Sequence, residues 1–267
     1  MSNDGVTARV ERAESDAFLS LYQAAATTCA TGWQEVDGIW TVWSPHDDDP
    51  GFSCVMNLAE AADPRATLAR IEPLARAGGA TVLGIDGSPA LSARLPDDEL
   101  AKLGFARDYQ ECIWARRIDA SEAFPEANDA RIAHVTPDER ATFARVLNIG
   151  YDIAEDSVRG QIFASTIGLP SWYHYLVRFD GEPGSASVLY VTDGVAQLFV
   201  ATTMPAYRGR GAQRALIQRR LADGQAAGCD LAISQTVIDN ASPRNMARLG
   251  FEQLHLRWIY GKALGEC

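Results

Sequence analysis

The residues with the clearest chemical potential are the glycines and arginines of the segment Tyr207-Arg208-Gly209-Arg210-Gly211-Ala212-Gln213. This segment lies between an apolar, β-branched run, 195–201, and a helical pattern, 214–227. Glycines at a strand-to-helix junction let backbone amides approach a ligand, and the start of the helix presents unpaired N–H groups and the positive end of the helix dipole. The segment is therefore a candidate phosphate-binding loop.

Two common phosphate-binding motifs fit this segment poorly. A dinucleotide fingerprint requires G-x-G-x-x-G, and Arg214 stands where the third glycine would be. A nucleotide P-loop requires G-x-x-x-x-G-K-[ST], whereas the only lysines of the chain are Lys102 and Lys262. A surface turn that precedes an ordinary helix is the remaining structural interpretation of these residues taken alone.

The charges around the loop favour an anionic ligand. No Asp or Glu occurs within 194–222, although the whole chain has a formal net charge of -11. Five arginines fall in that stretch: Arg208, Arg210, Arg214, Arg219 and Arg220. A solvated helix face normally mixes the two signs, so we expect this local excess of positive charge to face an anion. The acidic chain as a whole argues against duplex nucleic acid as a partner.

Segment 208–213 resembles the R-x-x-G-x-[GA] loop of the GNAT superfamily of N-acetyltransferases, which binds the diphosphate of coenzyme A. Gln213 departs from that pattern, because the family usually has a small residue there. The order of predicted elements over 130–262, β-α-α-β-β-β-α-β-α-β-β, is also the GNAT order. The ending Leu249-Gly250-Phe251 resembles the end of the family's closing helix.

The resemblance implies that acetyl-CoA is the cosubstrate and that its acetyl group passes to a primary amine by direct attack within a ternary complex. It implies a coenzyme site composed of strand residues, loop residues and one asparagine: Ala201, Thr202, Thr203, Arg208, Gly209, Arg210, Gly211, Ala212, Gln213 and Asn240. Without the resemblance, Asn240 is equally well interpreted as a loop residue that caps the following helix.

The groups that would transfer protons are not identified by the sequence. The family commonly has a tyrosine as acid and a glutamate as base, and Met246 and Gln197 stand at those positions. Neither side chain titrates. His174, Asp193 and Asp239 are candidate substitutes, each with a structural interpretation as strand, turn or loop residue. The alternative to an enzyme is therefore a non-catalytic regulatory protein that binds coenzyme A or acyl-CoA.

The bend 148–152 is expected to form one wall of the acceptor site, because that is its place in the family. Tyr151 and Asp152, with Glu155 beside them, are the candidate contacts for a cationic amine. Acids near a helix start also stabilise the helix dipole, so both interpretations stay open. A small amine, an amino acid, an aminoglycoside and a peptide terminus all remain possible acceptors.

The N-terminal half carries a fainter copy of the same ending at Leu103-Gly104-Phe105. The stretch 57–63, which would correspond to the phosphate loop, contains no glycine and no arginine, so we expect it not to hold coenzyme A. The predicted fold class is α/β, a GNAT fold with a mixed, twisted central sheet flanked by helices and an N-terminal partial GNAT-like lobe. The predicted domains are a degenerate GNAT-like lobe, 1–120, and a GNAT acetyltransferase domain, 130–262.

Composition indicates where the protein is located and whether it holds disulfides or metals. No run approaches the roughly 18 apolar residues of a membrane span, so we expect a cytoplasmic protein that does not enter a membrane. The five cysteines are odd in number and scattered, which predicts reduced thiols. The four histidines lie far apart, so no metal site is expected. The two lobes are compatible with packing in one chain or in a homodimer.

Overall fold

The computed structural model describes residues 3–45, 47–238 and 242–265, which fall into two compact units. Unit 1 comprises Met1–Ile113, Thr236–Arg244 and Gln253–Cys267, and unit 2 comprises Trp114–Gln235 and Asn245–Glu252. The predicted domains, 1–120 and 130–262, stay predictions.

The described residues contain eleven strands and eight α-helices. The strands are β1 (Gly32–Val36), β2 (Ile39–Trp43), β3 (Cys54–Met56), β4 (Val82–Gly87), β5 (Ala106–Arg117), β6 (Ile132–His134), β7 (Trp172–Phe179), β8 (Glu182–Thr192), β9 (Val195–Thr203), β10 (Leu231–Val237) and β11 (Glu252–Ala263). The helices are α1 (Asn3–Ala25), α2 (Pro64–Ala77), α3 (Pro89–Arg94), α4 (Asp97–Lys102), α5 (Arg140–Gly150), α6 (Val158–Ala164), α7 (Ala212–Ala226) and α8 (Ser242–Arg248). None of these helices combines the length and apolar character needed to cross a bilayer.

Unit 1 is built on the strand order β1-β2-β3-β4-β11. Its pairs are antiparallel except for β3 and β4, which run parallel. The core between these strands and α2 contains buried aliphatic side chains such as Ile71, Leu83 and Ile85. The last strand, β11, enters this unit because Trp258–Ala263 pair with Val82–Gly87.

Unit 2 has the strand order β10-β9-β8-β7-β6, with β10 parallel to β9 and the other neighbours antiparallel. Helices α5 and α7 both pack against β8 and β9. Helix α5 has an apolar face toward the core, since Phe143, Val146 and Leu147 are fully buried. A Cβ on Gly224 of α7 would lie 2.6 Å from the Ala196 Cβ, so glycine permits the close approach of this helix to β9.

Local sequence signals explain where several elements begin. The Glu139 carboxylate accepts from the backbone N–H of Thr136 at 3.0 Å as part of a capping box, and a short 3-10 turn then leads into α5. Asp193 and Gly194 both have positive φ, 43° and 75°, as a tight hairpin between β8 and β9 requires. The predicted pair of final strands is wrong in one respect, because 252–263 form one continuous strand.

Candidate functional site

The predicted phosphate loop lies between β9 and α7 in unit 2, and its glycines have the backbone conformation that the motif requires. Gly209 and Gly211 have φ of +79° and +81°, and no described atom lies within 4 Å of a Cβ built on either residue. Gly211 is the N-cap of α7, and no side chain caps this helix. The loop therefore leaves open space in front of a helix start that has no side-chain cap, which is the arrangement that suits an anion.

Gln213, the departure from the family motif, does not fill the loop. Its side-chain oxygen accepts a hydrogen bond from the Asn245 amide of α8. The Gln213 side chain is thus held by that helix. The larger residue at this position is accommodated by a side-chain contact and not by a change in the glycine turn.

Strand β9 changes partners along its length. Its parallel pairing with β10 covers Val195–Gln197 only. On the other side, the register with β8 shifts between Ser187 and Leu189, so that β9 contains one residue more than β8 between Leu198 and Ala201. Such a β-bulge redirects backbone groups away from the ladder. The second half of β9 therefore stays paired with β8 but not with β10, and it contains the three residues predicted to contact the thioester and pantetheine: Ala201, Thr202 and Thr203.

The arginine excess in the sequence is balanced in the folded unit. Each of four arginines forms an ion pair with an acid outside 194–222, namely Arg208 with Asp152 at 2.9 Å, Arg210 with Asp180 at 3.3 Å, Arg214 with Glu126 at 2.8 Å and Arg219 with Asp223 at 2.8 Å. The local excess of arginines is therefore no evidence for an anionic ligand. The prediction of an anion site depends instead on the backbone geometry of the loop.

Arg208 connects the loop to the bend after α5. Its guanidinium donates to the backbone carbonyls of Thr203 and Gly150, each at 3.1 Å, as well as to Asp152. Arginine suits this role because its donors are fixed in a planar fork. Three predicted site residues, Thr203, Arg208 and Asp152, are thereby brought together by side-chain contacts.

The bend also packs directly on β9. A Cβ on Gly150 would lie 2.3 Å from the Thr202 Oγ1, so glycine lets the end of α5 touch this strand. Burial raises the pKa of Tyr151, while the backbone of Ala201 and the nearby Arg220 and Arg159 oppose the rise. The ring itself is partly exposed, at 41%.

Asn148 organises this bend, and the sequence analysis did not identify its role. Its amide donates to the carbonyls of Glu155 and Ser157 at 3.0 and 2.9 Å, and its oxygen accepts from the Gly160 N–H at 2.9 Å. The signal in the sequence is a polar residue on the apolar face of α5, where it is 1% exposed. Glu155 itself pairs with Arg145 at 2.6 Å, so both acids proposed for the amine already have cationic partners.

Arg220, which the sequence analysis counted among the arginines expected to face an anion, is instead buried. It donates to the Leu216 carbonyl of its own helix and to the Val188 carbonyl of β8, both at 3.2 Å. Val188 lies where the register between β8 and β9 shifts. Burial lowers the pKa of Arg220 to about 10, with Tyr175 and Tyr151 acting in the opposite direction. At neutral pH the guanidinium stays charged.

Gln197 is completely buried, and neither of its amide atoms has a hydrogen-bond partner among the described residues. A side chain that is inaccessible to solvent and does not titrate cannot accept a proton from an amine in this conformation. Met246, at the position of the usual acid, is 3% exposed. Neither usual proton-transfer position therefore has a titratable group.

The substitute proton acceptors are not supported by their positions. His174 is buried, with its Nε2 3.0 Å from both the Thr166 hydroxyl and the Phe163 carbonyl, and burial lowers its pKa to about 4. Asp193 is in the hairpin at the opposite end of β9, about 25 Å from Ala201 at the usual strand rise. Asp239 and Asn240 lie outside the described residues, so their predicted roles stay predictions.

Unit 1 has no comparable loop at the position that the sequence repeat indicates. Residues Leu58–Glu60 form a 3-10 turn, and the Arg94 guanidinium donates to backbone carbonyls around it, including Ala62 at 2.9 Å. Carbonyl oxygens, and not N–H groups, are thus turned toward a cation here. Among the described residues of both units, no group of three or more metal-ligating side chains is placed to hold a metal ion.

No protein-family model and no curated protein matches this sequence. Solved structures do match it. A GCN5-related N-acetyltransferase from Kribbella flavida superposes with a TM-score of 0.57 at 16% identity, covering 96% of this chain and 95% of that one. A tandem GNAT protein from the clavulanic acid biosynthesis pathway gives 0.57 at 18%, covering 93% and 94%. A GCN5-related N-acetyltransferase from Sphaerobacter thermophilus gives 0.55 at 15%, covering 88% and 84%.

These likenesses extend over nearly the whole chain, and they confirm the GNAT fold that the sequence predicts. The α/β architecture, with mixed strand pairing and flanking helices, is the one expected. The match to a tandem GNAT protein agrees with the expectation of two lobes. At such low identity the likeness establishes the fold, and the activity must be argued from the site.

Proposed function

We propose that this protein is an N-acetyltransferase that transfers the acetyl group of acetyl-CoA to a primary amine of a small molecule or peptide, by direct attack within a ternary complex. The observation that carries the proposal is the loop between β9 and α7. Its two glycines of positive φ face open space at a helix start without a side-chain cap, so the backbone can bind a diphosphate. Structural neighbours that are acetyltransferases support an acyltransferase activity.

In our proposal acetyl-CoA follows the predicted path, with its diphosphate at the loop and its pantetheine and thioester along β9. The loop residues from Arg208 to Gln213 would contact the diphosphate, and the second half of β9, which is not paired with β10, would offer backbone groups to the pantetheine and thioester. In our proposal Ala201, Thr202 and Thr203 make these contacts, and Asn240 adds one from beyond β10. Bound acetyl-CoA supplies the activated acyl group, and the protein supplies orientation and hydrogen bonds.

The acceptor amine would enter beside the bend after α5. Tyr151 and Asp152 line this place in our proposal, and the exposed part of the Tyr151 ring offers an apolar surface to the substrate. Because Asp152 already pairs with Arg208, an acidic pocket selective for cations is not the feature that would choose the amine. We assign the reaction to the cytoplasm, in keeping with four described cysteines that form no disulfide with one another.

One observation favours a second candidate function, a regulatory protein that binds coenzyme A or acyl-CoA without turnover. Neither Gln197 nor Met246 titrates, and both are buried. A protein of this kind would keep the loop and have no need of proton transfer. Ligand binding alone therefore cannot distinguish the two candidates, whereas amine-dependent release of the coenzyme A thiol can.

The test combines ligand-induced thermal stabilisation with thiol release. At a coenzyme A concentration of about 100 times Kd, mass action adds about 2.7 kcal/mol of stability, which raises the melting temperature by roughly 5–10 °C for units of this size. Gly211→Asp should abolish that gain, because its carboxylate would face the diphosphate. Gly228→Asp is the matched control, since Gly228 also has positive φ, +83°, and open space, but lies after the end of α7.

The outcomes separate the candidates. Stabilisation of the wild type and of Gly228→Asp, together with thiol release that depends on one amine of a panel, supports the acetyltransferase. Stabilisation without release by any amine supports the regulatory protein. No stabilisation by coenzyme A or acetyl-CoA contradicts both.

A further inference from the structure

Ring contacts hold the loop before α7 against the hairpin formed by β7 and β8. The Tyr207 ring stacks on the Phe179 ring at the end of β7, with 4.9 Å between the centroids and 12° between the planes. A Cβ on Gly184 would lie 2.4 Å from the Tyr207 ring, so glycine near the start of β8 makes room for this stack. The Arg210 guanidinium also lies over the Phe179 ring, 4.7 Å from its centroid.

Arg131, which precedes β6, adds a contact to the backbone of the same loop. Its Nη1 donates to the Arg210 carbonyl at 3.2 Å. The Asp129 carboxylate accepts from Nε of Arg131 at 3.0 and 3.1 Å and from Nη2 at 2.6 Å. The guanidinium lies 5.3 Å from the centroid of the Phe179 ring. A carboxylate and a ring thus fix the planar fork that reaches the loop carbonyl.

The contact from Arg131 determines where the next amide of the loop points. In a planar trans peptide, the C=O of one residue and the N–H of the next point in opposite directions. Because the Arg210 carbonyl is turned toward Arg131, the Gly211 N–H is turned away from it. Four successive backbone N–H groups have no acceptor among the residues that the structure describes, those of Gly209, Arg210, Gly211 and Ala212. Successive unpaired N–H groups of this kind bind anions.

We propose that Arg131 is a positioning residue for the coenzyme, which holds the Arg210 carbonyl and thereby aims the Gly211 N–H at the diphosphate. This inference rests on the proposed function, because it requires a diphosphate in front of the loop. Glycine accepts many φ values, so Gly211 by itself does not fix the plane of this peptide. An amide that is already aimed loses less freedom on binding than one that must first turn.

The charge of Arg131 and its hydrogen bond to the loop lead to opposite expectations for Asp129→Asn. The substitution removes a negative charge beside the loop, so charge alone would tighten the binding of a diphosphate. It also removes the carboxylate that fixes the Arg131 guanidinium, so our inference expects weaker binding. We expect Asp129→Asn and Arg131→Met each to raise the Kd of coenzyme A about 3- to 10-fold, the range for one hydrogen bond. Isothermal titration calorimetry measures this Kd.

A second ligand and a matched variant restrict the test to the loop. Pantetheine has the thiol arm of coenzyme A without the diphosphate, so its Kd should be the same in the wild type and in both variants. Asp180→Asn is the matched control, because Asp180 pairs with the Arg210 side chain at 3.3 Å and not with the loop backbone. Asparagine tolerates the positive φ of this residue, 53°. We expect Asp180→Asn not to raise the Kd of coenzyme A.

Each other outcome has a definite meaning. Tighter binding of coenzyme A by Asp129→Asn overturns the inference and makes Arg131 a direct charge partner of the phosphates. An unchanged Kd in Arg131→Met overturns it, as does an equal loss of pantetheine affinity, which would show a general disturbance of unit 2. Circular dichroism checks folding, and Arg131→Lys, which keeps the charge without the fork, replaces Arg131→Met if that variant is unfolded. If the wild type binds neither coenzyme A nor acetyl-CoA, the proposed function itself fails.

Discussion

A buried cluster of acids in unit 1 leads to a prediction about how stability depends on pH. Arg257 lies 2.8 Å from Glu14, 2.9 Å from Glu111 and 3.4 Å from Asp86, and its side chain is only 9% exposed. Glu11, one turn before Glu14 on α1, adds a fourth carboxylate, and its Oε1 is buried without a hydrogen-bond partner among the described residues. A single guanidinium is thus grouped with four carboxylates.

The cluster holds a proton more tightly than an unfolded chain does. Burial, and then the charges of Asp86 and Glu14, raise the pKa of Glu11 from 4.5 to about 7, with Glu60 acting in the same direction and Arg257 against it. Between pH 4.5 and 7 the folded protein therefore binds a proton that the unfolded chain has released. The free energy of unfolding falls as the pH rises through this window.

The size of this effect follows from the pKa of Glu11. At about 1.4 kcal/mol for each pKa unit, a rise from 4.5 to about 7 sets an upper limit of roughly 3 kcal/mol. Glu11 is only partly buried, so solvent screening reduces the expected loss to about 1–2 kcal/mol between pH 5 and 8. Glu11→Gln carries no charge at either pH and should lose correspondingly less stability over the same range.

The assay is urea unfolding followed by circular dichroism at pH 5, 6, 7 and 8, for the wild type, Glu11→Gln and Glu35→Gln. Glu35 is an exposed residue of β1 and serves as the matched control, because it removes the same charge from the same unit. We expect the stability difference between wild type and Glu11→Gln to change by about 1–2 kcal/mol across the range. Parallel pH curves for these two proteins would refute the reasoning.

Two further predictions concern unit 2. Gln197→Met should raise the free energy of unfolding by about 1–3 kcal/mol, because it replaces a buried amide that has no partner among the described residues with an apolar side chain of similar volume. Thermal unfolding measures this change. A loss of stability would show that the amide is hydrogen-bonded in solution. Arg208→Lys should raise the amine KM several-fold, because the fork that joins Gly150 to Thr203 is lost. It should reduce the coenzyme A thermal shift only in part, because the loop backbone that binds the diphosphate is kept. An unchanged amine KM would contradict the role of Arg208 in positioning the bend.

Much of the fold could be predicted from local patterns in the sequence. The hairpin at Asp193-Gly194, the capping box at Thr136 and the span of β10, Leu231–Val237, are all set by residues near each other in the chain. Such signals are local because a turn or a cap needs only a few residues of the right conformation. The pairing of the last strand, 252–263, could not be predicted from local signals, because its partner β4 is far away in sequence.

The candidate site also has features that the sequence predicts and features that it does not. The loop glycines were identified from their spacing, since only glycine readily takes a positive φ at two close positions before a helix. The role of the arginines was not identified from the sequence, because their acidic partners Asp152, Asp180 and Glu126 come from other elements. A count of charges along one segment cannot show which charges will meet in the folded unit.

The sequence by itself determined the order of the elements in the C-terminal half, the phosphate-type loop and the lack of titratable groups at Gln197 and Met246. Each of these depends on residue type and short-range spacing. Only the tertiary structure decided that Gly150 packs on Thr202, that Arg208 joins the bend to β9, and that Gln197 is buried without a partner among the described residues. These facts depend on contacts between distant residues, and the energy of such contacts is set by packing and burial that no local pattern encodes.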